Sequence, residues 1–339
     1  MADDHAAKSP DVKLLELMRG YRQPHALHLV VELGIAELLH DGAKSGQQLA
    51  QATGSHAGAL TRLLRALSSS GVFTEISPGV FAHSPMSELL RRDHPSSRVP
   101  SILFLGARYT RESWAALEHS VRSGESAFAH VHGMSKWEYN QQHPTEGAIF
   151  DQVMAGARPA RIAGLLGAYD FAGSSLVVDV GGGRGQLLAA VLARHPSLRG
   201  VLYDLPGVVV DAPPLLAAAG VADRCSIESG SFLERVPAGD TYVLSDILHD
   251  WPDEQCLSVL RACRAAVAPG GRVLVVEHVL VPGATPAPVA WLDLQMLVEF
   301  GQGRQRSVDE LVELFDATGF RLDSVIPTSD IEIVVAAPR

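Results

Sequence analysis

Three cysteines are all that 339 residues contain, and Cys225, Cys256 and Cys263 form no C-x-x-C pair. An odd, scattered set of this kind does not build a disulfide framework, so a reduced cytosolic compartment is expected. No apolar run approaches the roughly 20 residues that a membrane-crossing helix needs. The opening stretch MADDHAAKSPD is polar, carries Asp3 and Asp4, and is not expected to be a secretory signal. Positive charge is also short: 28 Lys+Arg against 38 Asp+Glu leave a formal net charge of −10. That sign argues against nonspecific nucleic-acid binding and against an anionic membrane surface. What is present is globular in composition, with 47% hydrophobic and 19% charged residues, and long enough for two domains.

Charge is unevenly spread. Residues 1–100 hold 10 Lys+Arg and 10 Asp+Glu, so the whole acidic excess lies in 101–339. Two domains with this boundary are expected. Residues 12–39 show helical apolar spacing, as in LHLVVELGIAELL. SGQQLAQA begins on a Ser that can cap a helix, and Gly54 ends it. AGALTRLLRAL places Leu60, Leu63, Leu64 and Leu67 on one face, and VFTEISPGVFAHS reads as two strands around a Pro-Gly turn. Helix, helix, hairpin is a winged-helix outline. As a DNA reader its second helix would offer only Arg62 and Arg65. Zero net charge and leucine-rich faces favour a dimerisation module over a transcription regulator.

Residues 101–165 are helical in pattern and rich in aromatics; Met154 there is either packing or the wall of an apolar pocket. From residue 175 strands and helices alternate, which implies a parallel sheet covered on both faces. Ligands in such sheets bind beyond the carboxyl ends of the strands. The segment VVDVGGGRGQ places Gly181, Gly183 and Gly185 between a strand and a helix. Glycines there let the backbone turn sharply and approach a ligand. A dinucleotide fingerprint wants a sixth-position Gly, but Gln186 stands there, which disfavours an NAD(P) oxidoreductase. Asp179 could meet a cationic amino group, and Asp204 could accept hydrogen bonds from ribose hydroxyls. Phe232 could stack on a purine, with Ser231 at its edge.

SDILHDW then puts His249 beside Asp250 where a strand turns into a helix. The imidazole is a core residue, a metal ligand with Asp250 and His278, or a general base. Adjacent strand residues point to opposite faces, which disfavours the shared metal site. An imidazole near its ordinary pKa of about 6.5 suits removal of a proton from a phenol, whose pKa is about 10. Glu277, at the end of the next strand, is either an ion-pair residue or the group that orients this ring.

VVDVGGGRGQ, YDLP, GSF, SDILHDWPDE and APGGRVLVVE follow one another as they do in the S-adenosylmethionine-dependent O-methyltransferases, and the chain resembles that family's caffeate/flavonoid, hydroxyindole and bacterial polyketide-tailoring group. The resemblance implies an α/β Rossmann-like methyltransferase domain behind a mainly helical winged-helix dimerisation domain that forms an intertwined homodimer. It implies that Gly181 and Asp204 contact the cofactor, that Ser231 and Phe232 flank its adenine, and that Ser245 lies near it. It makes His249 the base and Glu277 its support. Two positions depart from the pattern: Ser231 stands where Asp is common, and Gln305 where many members have Glu. The expected enzyme is a cytosolic homodimer that methylates a hydroxyl of an aromatic small molecule, needs no metal, and binds neither nucleic acid nor membrane. Trp291, Met296 and Phe300, with Met154, are the expected acceptor walls. A family member that keeps the cofactor for other chemistry is the remaining alternative.

Overall fold

The computed structural model describes residues 9–329 and 331–339; the polar opening stretch with Asp3 and Asp4 lies outside the described residues. The chain forms two compact units. One takes in the residues up to Glu112 together with Trp137–Val153, the other Ser113–Lys136 and Met154–Arg339. The aromatic helical stretch 101–165 is therefore divided between them.

In the first unit Ser45 closes a capping box with Gln48 at the head of helix Gly46–Thr53, which fixes where that helix starts. Helix Ala57–Ser69 buries Leu60, Leu64 and Leu67. Strands β1 (Phe73–Ser77) and β2 (Val80–His83) pair antiparallel, and Lys44–Ser45 pairs with the other edge of β2. The Arg65 guanidinium donates to both carboxylate oxygens of Glu75 on β1. Helix Pro10–Arg19 buries no residue, and Leu14, Leu17 and Met18 are among its exposed apolar side chains.

The second unit is built on one sheet. Its strands are β3 (Leu176–Val180), β4 (Arg199–Asp204), β5 (Cys225–Ser229), β6 (Gly239–Ser245), β7 (Val267–Glu277), β8 (Phe320–Pro327) and β9 (Glu332–Pro338). They lie in the order β8-β9-β7-β6-β3-β4-β5. β5, β4, β3, β6 and β7 run parallel, while β9 is antiparallel to β7 and β8 antiparallel to β9. The sheet is thus mixed, not wholly parallel. Its antiparallel edge comes from residues 320–338, where the sequence reading assigned no strand. Helix Asp253–Ala266 ends where Val267 turns extended and begins β7.

Two-sided burial explains the continuous apolar runs. Val178, Val180, Tyr242 and Leu244 pack with helices Asp253–Ala266 and Val308–Ala317 on one face. Val177, Leu202, Val243 and Leu274 pack with helix Gln186–Arg194 on the other. β3 sits between β4 and β6, so the chain's connections diverge at the carboxyl end of β3. That switch point is where a ligand crevice opens.

Candidate active site

The loop after β3 is where three segments meet. Gly181 has φ +68, and a Cβ there would stand 2.3 Å from Ile247 Cδ1 and 3.5 Å from Phe232 Cε1. Only glycine takes that conformation at that separation without strain. Asp204, at the end of β4, ties the loop down: Oδ2 accepts from the Gly183 N–H at 2.8 Å and Oδ1 from the Leu205 N–H at 2.7 Å. A carboxylate oxygen can accept more than one hydrogen bond. Asp179 differs from expectation. It is 1% exposed, and a Cβ on Gly182 would lie 2.5 Å from its Oδ2. Its carboxylate therefore lies under the loop backbone and does not stand open toward an amino group.

Beyond β5, the Ser231 carbonyl accepts from the Glu234 and Arg235 amides at 3.1 Å each, a turn that fixes Phe232. The Phe232 ring meets Trp251 edge-on, 6.0 Å between centroids. Ser245 ends β6 in register with Val276 of β7. The next residue, Asp246, has φ +54 and is the one non-glycine with positive φ among the described residues. Its amide donates to the Val276 carbonyl, and its carboxylate pairs with Arg161; such contacts are what hold a residue in this sparsely populated conformation.

His249 follows on a single turn, Leu248–Asp250, and is buried. Glu277 Oε1 accepts from the backbone N–H groups of Ile247 at 3.0 Å, Leu248 at 2.6 Å and His249 at 3.3 Å. It shapes the turn's backbone; the expectation that it orients the ring is replaced by Gln305, whose side-chain amide lies 2.8 Å from His249 Nδ1. Burial, with Asp246 adding, pushes the Glu277 carboxyl up to about 7. Arg306, 2% exposed, donates to the carbonyls of Leu248 and Trp251 at 2.8 Å each and to Asp253 Oδ1 at 2.7 Å. Gly303 lies so close that a Cβ on it would be 2.8 Å from the His249 carbonyl.

The ring's proton can be placed. Gln305 sets the tautomer through this contact: with its Oε1 toward the ring it accepts from Nδ1–H and Nε2 is the nitrogen without a proton. Burial first, then the Arg161 charge, then His278, hold the imidazole down to about 3. The ring is neutral at neutral pH.

The acceptor candidates divide. Helix Ala287–Phe300 packs against helices Leu117–Ser123 and Ala127–His132 and against the Leu248–Asp250 turn. Met296 is buried and Phe300 half-buried, whereas Trp291 is 61% and Met154 37% exposed. No group of three or more His, Cys, Asp or Glu is placed to hold a metal among the described residues. Sequence reasoning missed Arg306, the Arg161–Asp246 pair and the upward push on the Asp250 carboxyl, which burial and then Glu277 cause. Arg306 was signalled only by its place beside the Gln305 departure; Arg161 had no signal, since its partner is 85 residues away.

A glycine-turned loop at a switch point, an acid at the end of the next strand and a neutral imidazole beyond β6 define a Rossmann-like enzyme for a nucleoside-bearing cofactor. Comparison with known proteins narrows this. A family model of the O-methyltransferase domain matches residues 114–321, and one of the O-methyltransferase dimerisation domain matches residues 15–93. The phenazine O-methyltransferase PhzM of Lysobacter antibioticus is 42% identical over 96% of this chain and 95% of its own. The phenazine-1-carboxylate N-methyltransferase of Pseudomonas aeruginosa is 32% identical over 96% of each. An O-methyltransferase from neocarzinostatin biosynthesis, solved with S-adenosylmethionine and 2-hydroxy-5-methyl naphthoic acid, superposes with TM-score 0.83 at 35% identity, covering 94% of this chain and 96% of that one. The chain belongs to the S-adenosylmethionine-dependent O-methyltransferase family and is an enzyme of that family with its dimerisation domain. The site fits the cofactor in the chemistry of its donor set: a glycine loop whose backbone can approach a ligand, with the Asp204 carboxylate at the end of the next strand tied to that loop.

Proposed function

We propose that the protein methylates a hydroxyl of an aromatic small molecule of secondary metabolism, with His249 as general base. The observation that carries this is the imidazole on the turn beyond the carboxyl end of β6, engaged at Nδ1 by Gln305, with Nε2 as the ring nitrogen that takes a proton. Bound S-adenosylmethionine supplies an electrophilic methyl on a sulfonium. Asp204 and the glycine loop bind the ribose end, with Phe232 and Ser231 beside the adenine and Ser245 near the cofactor. Glu277 and Arg306 hold the turn that aims the ring, so that alignment and proton removal are the chain's share of the work.

Relatives named for phenazine and hydroxynaphthoate substrates support an aromatic acceptor. An N-methyltransferase among them keeps nitrogen acceptors in view, but a free nitrogen lone pair needs no base, and this chain builds one. The exposed apolar face of helix Pro10–Arg19 supports a homodimer formed through residues 1–100, with 101–339 as the catalytic region. Three cysteines without a disulfide among them support a cytoplasmic setting. No helix among the described residues is long and apolar enough to cross a membrane. A screen of aromatic hydroxy acceptors with methyl-labelled cofactor, read by mass, tests the reading. Labelled ethers support it, and transfer only to nitrogen or carbon acceptors overturns it.

A further inference from the structure

Helix Ala287–Phe300 ends on Gly301, which has φ +73 and sits so close to Ser126 that a Cβ on it would meet the Ser126 amide nitrogen at 2.7 Å. The chain then folds back over the turn that carries the imidazole. Gly303 passes against the carbonyls of His249 and Asp250, which a Cβ on it would meet at 2.8 and 3.0 Å. Two positions later the Gln305 N–H donates to Oδ1 of Asp293 at 2.8 Å. Asp293 lies about two turns before the helix end, so the returning chain is stapled alongside the helix it has just left. Beyond Gln305 the path is fixed again: Arg306 and Ser307 pair parallel with Val279 and Leu280, and Ser307 caps helix Val308–Ala317. Gln305 is buried, and its side-chain amide is the group 2.8 Å from Nδ1 of His249. Asp293, Met296 and Phe300 are spaced i, i+3 and i+7, which is one face of a helix. That helix packs against the Leu248–Asp250 turn.

A glutamine side chain has several rotatable bonds, and holding it against a ring costs conformational entropy. A main chain fixed at that residue leaves it fewer ways to miss. Precision matters here, because a misplacement of about 1 Å near a reacting group can slow a reaction on the order of a hundredfold. We propose that Asp293 is a positioning residue for the transfer: by holding the Gln305 N–H it sets the Gln305 amide on Nδ1 and so fixes the ring tautomer that leaves Nε2 of His249 without a proton. This rests on His249 being the base. One helix then sets both the base, through Asp293, and the proposed acceptor walls Met296 and Phe300.

The test reads the tautomer as well as turnover. Protonated and unprotonated imidazole nitrogens give well-separated ¹⁵N signals, and those of His249 are assigned in the full chain by their loss in His249→Gln. In the parent, Nδ1 should be the protonated nitrogen and Nε2 the bare one. In Asp293→Ala the two signals should move toward each other as the second tautomer appears, and kcat at saturating S-adenosylmethionine should fall about tenfold or more. Gln305→Ala should do the same. Adding Asp293→Ala to it should bring no further shift and little further loss, because residues that act through one contact are not additive. Asp293→Asn keeps an oxygen in place and should retain the parent's signals; Asp293→Leu serves if Asp293→Ala does not fold. The parent's signals in Asp293→Ala, a loss that is undiminished in Gln305→Ala, or an Asp293→Asn ring that behaves as in Asp293→Ala overturns the inference. Full methyl transfer by His249→Ala would instead sink the base reading beneath it, while the ring signals would still decide whether Asp293 orders the imidazole.

Discussion

The loop after β3 and the turn after β6 stand side by side, yet they are made by different means. The loop is held by its own backbone: glycines with positive φ at 181, 183 and 185, and one carboxylate, Asp204, tied to it from the neighbouring strand. The turn is held from a distance. Glu277 reaches its amides from β7, Arg306 its carbonyls from the loop before helix Val308–Ala317, and Gln305 its ring. Residues about 28 to 58 positions away thus fix where His249 points. Steric demands are local and written in residue type; polar clamps are written in the fold.

If that contrast holds, removing a clamp should harm the turn and spare the loop. Arg306→Met takes away a buried guanidinium that serves two carbonyls and Asp253. It should cost about 3 kcal/mol or more of stability and leave buried carbonyls without donors. Turnover should fall at least tenfold while the calorimetric Kd for S-adenosylmethionine stays within a factor of three. Loss of cofactor binding with intact turnover would break the comparison outright.

The mirror experiment is Gly181→Ala. It forces an L-residue to φ +68 against Ile247, at a cost of about 1 to 2 kcal/mol. The expected outcome is weaker S-adenosylmethionine binding, about tenfold by calorimetry, with a smaller loss of turnover at saturating cofactor. Unchanged affinity would mean the loop does not meet the ligand.

Gln305→Glu sharpens the account of the ring. A carboxylate on Nδ1 favours imidazolium, so the lower limb of kcat/KM against pH should move up by about one unit. Glu277→Gln should leave that limb nearly in place, because Glu277 binds amides and not the ring. Matching shifts in both variants would put both residues on the imidazole.

The smallest effect is on stability. The ring is held down to about 3 when folded, against 6.5 unfolded, so between those values the unfolded chain binds a proton the native one lacks. Stability through this group therefore rises with pH across that window and is lost as pH falls. Glu277, pushed up to about 7 from 4.5, acts in the opposite direction between its two values. Denaturant melts of His249→Gln should show a flatter acid side than the parent; an unchanged slope would count against a neutral buried ring.

The same contrast marks what the sequence could show. The strand-helix alternation, the cap at Ser45, the buried leucines of helix Ala57–Ser69 and the glycine loop follow from local pattern, and the structure has them. The antiparallel edge was missed because residues 320–338 lie beyond the last motif, although Phe320 and the run Ile333, Val334, Val335 and Ala336 are buried. Glu277 reaches the amides of the turn, because strand register fixes the neighbourhood of a side chain and not which of two hydrogen-bond donors it takes. Asp179 reads as a ligand residue from its place before the loop, and its burial under Gly182 depends on the turn's three-dimensional path.

The most direct test of the central claim is methyl transfer by His249→Ala at saturating S-adenosylmethionine, using an acceptor found in the labelled-cofactor screen. The account predicts that kcat falls by roughly 10² to 10⁴, with cofactor Kd nearly unchanged and no response to EDTA. Turnover equal to the parent's, or turnover restored only by an added metal ion, would contradict it.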